Sequence, residues 1–313
     1  MRSIAFINQK GGVGKTTSAV NVAAALAREG RRVLLVDLDP QAHASQHLGV
    51  ELDRDEPSVY DVLVRGTRIA DVAREVDERL TLVPSHIDLV ASDVELSDQA
   101  NREEILARAL APHHDQFDIL VIDCAPSLGV LTMNALAAVE EVIIPLQPHF
   151  FALQGLGKLF ETVTLVREVV NPRLRISGVL LCMYDKGTRL AHEVDSDIRS
   201  FVDSADAEAA WHGACVFESR IRRNIKLAEC PSFGKSIFDY APASHGAEDY
   251  AAAAREVLRM IEPLQEAVAD EAGLVAPAAA GLDESPSDEA AAPVSVDPPP
   301  AAAHPASHDA LAS

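Results

Sequence analysis

Residues Lys10–Thr17 read Lys-Gly-Gly-Val-Gly-Lys-Thr-Thr, directly after the apolar run Ile4-Ala5-Phe6-Ile7 and directly before an Ala- and Val-rich stretch of helical pattern. This feature restricts the fold more than any other, because it demands a strand, a tight loop and a helix in immediate succession. Gly11, Gly12 and Gly14 allow the backbone around Val13 to curl so that successive N–H groups point inward, and the following helix adds its positive N-terminal end. Such a loop binds phosphate. Lys15 is placed to neutralise the β- and γ-phosphates, Thr16 to ligate magnesium, and Thr17 to begin the helix. Gln9 stands five positions before Gly14, where the strict pattern has glycine, and Lys10 adds a second lysine at the start of the loop.

Further apolar runs at 33–36, 80–83, 119–122, 142–146 and 176–182, with a weaker one at 215–217, read as buried parallel strands. Helical patterns at 17–29, 103–110 and 156–170 separate several of them. The alternation predicts an α/β fold: a doubly wound, mostly parallel sheet with helices on both faces and ligands at the carboxyl ends of its strands. Residues 1–262 are expected to form this P-loop NTPase domain. From about Ala272 the chain turns to Ala, Pro, Ser and acid, so 263–313 should hold the end of the last helix and a disordered tail.

Two acidic turns fit the same site. Asp37-Leu38-Asp39-Pro40-Gln41 follows the second strand, placing two carboxylates near the loop, where they suit magnesium and an attacking water. Asp123 follows Ile-Leu-Val-Ile at 119–122, the Walker B arrangement that holds the metal's water shell.

Charge and cysteine usage narrow the function. Of the formal charge of −21, nine units come from acids after Pro263, where there is no Lys or Arg, leaving −12 for residues 1–262. Within that acidic body Arg220-Ile221-Arg222-Arg223-Asn224-Ile225-Lys226 is a basic cluster able to meet phosphates despite the net charge. Cys124, Cys182, Cys215 and Cys230 fall singly, which suits small buried hydrophobes and neither a disulfide framework nor a metal knuckle. No stretch approaches the roughly 20 apolar residues of a membrane span, and no signal sequence precedes the first strand, so a cytoplasmic protein is expected.

Gln9–Asn21, Val33–Gln41, Asp118–Asn134 and Arg223–Tyr250 together resemble the ParA/Soj family of DNA-partition ATPases. The block Arg223-Asn224-Ile225-Lys226-Leu227-Ala228-Glu229-Cys230-Pro231-Ser232-Phe233-Gly234-Lys235 is the more specific part of the match, since it lies far from the loop. The resemblance implies ATP and Mg²⁺ as cofactors, homodimers in the ATP-bound state, non-specific DNA binding on the nucleoid, and stimulation of slow hydrolysis by a ParB-type centromere-binding protein. It implies that Lys10 reaches the partner protomer's phosphates and that Asp39 positions the attacking water, and it allows Asn224, with Arg223, to line the adenine side as an alternative to DNA contact. DNA contact would fall to Arg189, Arg222, Arg223 and Lys226. Arg222 departs from the proline carried by many relatives. MinD-like ATPases end in a basic amphipathic helix, unlike this acidic terminus, so no direct membrane anchor is expected. Iron–sulfur carriers need dedicated cysteine ligands, for which Cys124 is badly placed. A cargo-positioning ATPase is the remaining alternative.

Overall fold

The computed structural model describes residues 1–260. The expected tail lies outside them. Among the described residues nine strands form the sheet: β1 Arg2–Phe6, β2 Val33–Leu38, β3 Arg74–Asp77, β4 Leu80–Val83, β5 Ile119–Cys124, β6 Glu141–Leu146, β7 Arg175–Tyr184, β8 Cys215–Val216 and β9 Ile221–Arg222. Their order is β3-β4-β2-β5-β1-β6-β7-β8, with β9 pairing beside the end of β7. Every pairing among the described residues is parallel except β3 with β4. The doubly wound sheet is thus present. The apolar runs mark its parallel strands, and β3 and β9 are additional. β3 escaped because Arg74-Glu75-Val76-Asp77 is a short, polar edge with alternating exposure, which lacks the continuous apolar run of an interior strand.

Alternation with period two splits the strands between two cores. Leu34, Val36, Leu120 and Ile122 pack on one face, against helices that include Val130–Ala138, Ala152–Val169 and Arg189–Asp203. Val33, Leu35, Ile119 and Val121 pack on the other, against the helices Lys15–Arg28 and His245–Arg259. Ala19, Ala23, Ala24, Ala25 and Ala27 all lie in that second core, and their small side chains let helix and sheet approach closely. Val130–Ala138 carries apolar residues around most of its circumference, so it has little helical contrast for a sequence reading to detect.

Register positions the site. Phe6 pairs with Asp123 and Asp123 with Asp37, so the carboxyl ends of β1, β5 and β2 lie side by side. Both aspartates belong to the last residues of their strands rather than to the following turns. The opposite end of the sheet is closed by a buried ion-pair cluster. Glu141 accepts hydrogen bonds from Arg2 Nε and Nη2, both at 2.7 Å, and lies 3.1 Å from Arg175. Burial acts against the Glu141 carboxylate, but the bonds and charge of Arg2 prevail and hold its pKa below the usual value.

Candidate nucleotide site

A cavity of about 630 Å³ opens at the carboxyl ends of the strands, between the glycine loop and the segment 221–228. That is within the usual range for a small-molecule or cofactor site. Gly11, Gly12, Gly14, Lys15, Thr16 and Thr17 line it on one side, and Val13 anchors the loop from beneath at 1% exposure. Gly12 and Gly14 have φ of 72° and 95°, backbone that a side chain would strain, and Gly14 caps the helix that follows. Met183, at φ 50°, is a non-glycine residue in the same backbone region and also lines the cavity.

The two lysines of the loop occupy different environments. Lys15 is buried, and its Nζ donates to the Lys10 carbonyl at 3.2 Å. Burial pushes its pKa below the ordinary lysine value, while the negative charges of Asp123 and Asp39 oppose the shift. Lys10 is exposed, and its backbone N–H is fixed by Asn8 Oδ1 at 3.0 Å. Asn8 is itself held by the Pro145 carbonyl at 2.8 Å.

Three aspartates stand behind the loop, each in a different state. Asp37 is fully buried and accepts from the Ser45 backbone at 2.8 Å and the Ser45 hydroxyl at 2.7 Å. Burial still pushes its carboxyl up to about 6. Asp39 lines the cavity and accepts from the Gln41 N–H at 2.9 Å, while its carbonyl is held by Ser85 Oγ at 2.7 Å. Asp123 is fully buried; neither carboxylate oxygen meets full hydrogen-bond geometry, and the Thr16 hydroxyl is the donor that acts on it. Burial and then the neighbouring charge of Asp37 raise its pKa well above normal. A buried carboxylate that lacks a well-formed hydrogen bond and stands beside Lys15 fits a site for a cation, and among the described residues no three His, Cys, Asp or Glu side chains converge as a complete metal cage. A magnesium ion that shares its ligands with phosphates and water needs no such cage.

On the far side, Arg222, Arg223 and Asn224 all line the cavity. Asn224 Oδ1 accepts the Lys226 N–H at 2.8 Å and so caps the helix Ile225–Glu229. The structure therefore brings the loop, Asp39 and Asn224 around one cavity, with Asp123 buried next to it.

Comparison with known proteins decides the family. Residues 1–176 match a family described as AAA domain. The chain is 43% identical over 263 residues to the chromosome partitioning protein ParA of Myxococcus xanthus, an alignment covering 84% of this chain and 89% of that protein. It is 44% identical over 255 residues to the sporulation initiation inhibitor protein Soj of Bacillus subtilis, covering 81% and 97%. The chain belongs to the ParA/Soj family. A solved structure described as cobyrinic acid a,c-diamide synthase from Mycobacterium smegmatis, with bound ATP analog and magnesium, shares the fold at a TM-score of 0.71 and 37% identity, covering 84% of this chain and 96% of that one.

The basic residues of this ParA/Soj chain are largely engaged with acids. Arg189 pairs with Glu193 at 2.7 Å and Lys226 with Glu229 at 2.8 Å. Arg220 forks onto Asp195 at 2.8 and 3.0 Å. Arg222 does the same with Asp249, and its Nη2 also lies 3.1 Å from Glu248. Arg223 is exposed and makes no side-chain ion pair among the described residues. Ser45, Ser85 and Asp249 are the positioning residues that sequence reasoning missed. Each acts across 8 to 46 residues of chain, and nothing local marks them.

Proposed function

We propose that this partition ATPase works as an ATP-dependent dimerising switch that binds DNA without sequence preference and drives chromosome or plasmid partitioning. Its cofactors are ATP and Mg²⁺. Thr16 and Asp123 are the residues suited to the metal, which when bound supplies charge neutralisation at the phosphates. Lys15 binds the same phosphates from its own protomer. Asp39, anchored through Gln41 and Ser85, orients the attacking water, and Asn224 faces the base.

The observation that carries the dimeric reading is the division of labour between the two lysines. Lys15 is buried in the loop, whereas Lys10 is exposed on a backbone fixed by Asn8, so its ammonium is available to a second protomer. Delivered across an interface, it stabilises charge on the transferring phosphoryl as an arginine finger does. Phe150 and Phe151, 79% and 64% exposed, follow His149, whose pKa is lowered by burial and then by the charge of Lys10. An exposed aromatic pair beside the loop suits burial against another protein surface. Turnover without a partner is slow, because the water is ordered only when a ParB-type activator docks.

For DNA, Arg223 is the strongest contact and Arg189 and Lys226 are weaker ones, because phosphate must displace Glu193 and Glu229 there. One protomer then binds weakly, and doubling the surface in the ATP dimer switches binding on through effective concentration. The protein works in the cytoplasm on the nucleoid. Light scattering with ATP or ADP, together with a gel-shift series over salt, tests this reading. It predicts ATP-dependent dimers whose DNA affinity falls steeply with salt and is lost in Arg223→Glu plus Lys226→Glu. Dimers that hold DNA equally well after those changes would redirect the reading to a protein cargo.

A further inference from the structure

We propose that Arg222 and Asp249 form a latch that positions the base-side wall of the nucleotide cavity, which makes Arg222 a positioning residue for nucleotide binding rather than a DNA contact. This rests on the nucleotide reading above. β9 is only two residues long and pairs with β7 through an irregular register, so its ladder can do little to hold Arg222–Asn224 in place. What holds it is the helix His245–Arg259. The Arg222 backbone N–H donates to Asp249 Oδ2 at 2.9 Å, its Nε reaches both oxygens at 3.0 Å, and its Nη2 reaches Oδ1 at 2.6 Å. Asp249 is 8% exposed, and this planar fork is a geometry that guanidinium supplies and ammonium does not. Glu248 is the other acid facing Arg222, and it also accepts from His245 Nδ1 at 3.0 Å.

The next residue on the helix makes the opposite connection. Tyr250 is 1% exposed, lines the cavity, and its hydroxyl lies 3.1 Å from Ser18 Oγ in the first turn of the phosphate-loop helix. Successive helical residues point about 100° apart, so Asp249 and Tyr250 reach two different walls from one rigid turn. One turn of this helix therefore ties the phosphate-loop helix to the segment after β9, alongside β7, whose Cys182 pairs with Ile221 and lies 3.5 Å from Ser18 Oγ. Gly246 completes the seat. A Cβ there would lie 2.9 Å from Leu227 Cγ and 3.1 Å from Asn224 Nδ2, so glycine is what allows the loop after β9 to rest on the helix.

Isothermal titration of the full chain with ATP and with tripolyphosphate, both with magnesium, tests the latch. Arg222→Ala and Asp249→Asn should each weaken ATP about ten-fold, as expected for losing a charge-assisted pair. Tripolyphosphate affinity should stay near that of the parent, because only the base side is released. The double variant should bind ATP no more weakly than either single one, and Arg222→Lys should fall between parent and Arg222→Ala. ATP affinity within about two-fold of the parent in both single variants would overturn the latch. So would an equal loss of ATP and tripolyphosphate, which would reduce the pair to general support of the fold. Failure of the nucleotide reading itself looks different: Lys15→Ala would then bind both ligands like the parent.

Discussion

Replacing Asp123 with asparagine should stabilise the metal-free protein and at the same time abolish the magnesium-dependent part of its response to ATP. The carboxylate is completely buried, lacks a well-formed hydrogen bond and lies beside Asp37. Burying an unpaired polar group costs about 1–3 kcal/mol, and more when it is charged. Asparagine carries no charge and does not repel Asp37, which outweighs the lost attraction to Lys15, so a gain of about 2 kcal/mol is expected. In a domain of this size that corresponds to a rise of roughly 4–8 °C in Tm. Magnesium and ATP at about 100 times Kd stabilise the parent by about 2.7 kcal/mol, and the magnesium-dependent part of that shift should vanish in the variant. The pH dependence supplies a second sign. Folding raises the pKa of Asp37 from 3.8 to about 6 and that of Asp123 well above its ordinary value. Between the unfolded and folded values the native state binds more protons, so stability is fully present below about pH 4 and falls as pH rises through 6 and beyond. Asp123→Asn should flatten this fall. Scanning fluorimetry from pH 4 to pH 8, in EDTA and then in ATP with magnesium, reads all of these effects. A lower metal-free Tm, or a full magnesium-dependent shift in the variant, would refute the reasoning.

Asp39→Ala should still bind ATP and dimerise but release phosphate at least about a hundred-fold more slowly, whereas Lys10→Ala should bind ATP and lose hydrolysis coupled to dimerisation; sizing and phosphate release on the same samples separate the two. Gly234→Ala should destabilise the protein by about 2–4 kcal/mol, because φ is +61° and the added Cβ would lie 2.7 Å from Gly49 Cα; urea unfolding measures this. Glu141→Gln should cost about 3–5 kcal/mol by leaving Arg2 without its carboxylate, and the ATP affinity of the folded fraction should match the parent, since the cluster sits at the other end of the sheet.

How far the sequence alone reaches is decided by how local each constraint is. The phosphate loop was legible because all its requirements fall within eight consecutive residues, Lys10–Thr17, and the interior strands because burial on both faces leaves continuous apolar runs. The family likewise followed from contiguous blocks, above all Arg223–Lys235. The states of the side chains were not legible. Asp37, Asp39 and Asp123 all read as acids near a strand end, yet register and packing pair the first with Ser45, open the second to the cavity and leave the third without a well-formed hydrogen bond. The basic cluster shows the same limit. Its residues are neighbours in sequence, but their acidic partners stand on other elements as well as nearby: Asp195 for Arg220, Asp249 for Arg222, Glu229 for Lys226. A charge is legible from one residue, whereas its neutralisation depends on which other residue the fold brings within about 3 Å, and only the folded chain specifies that.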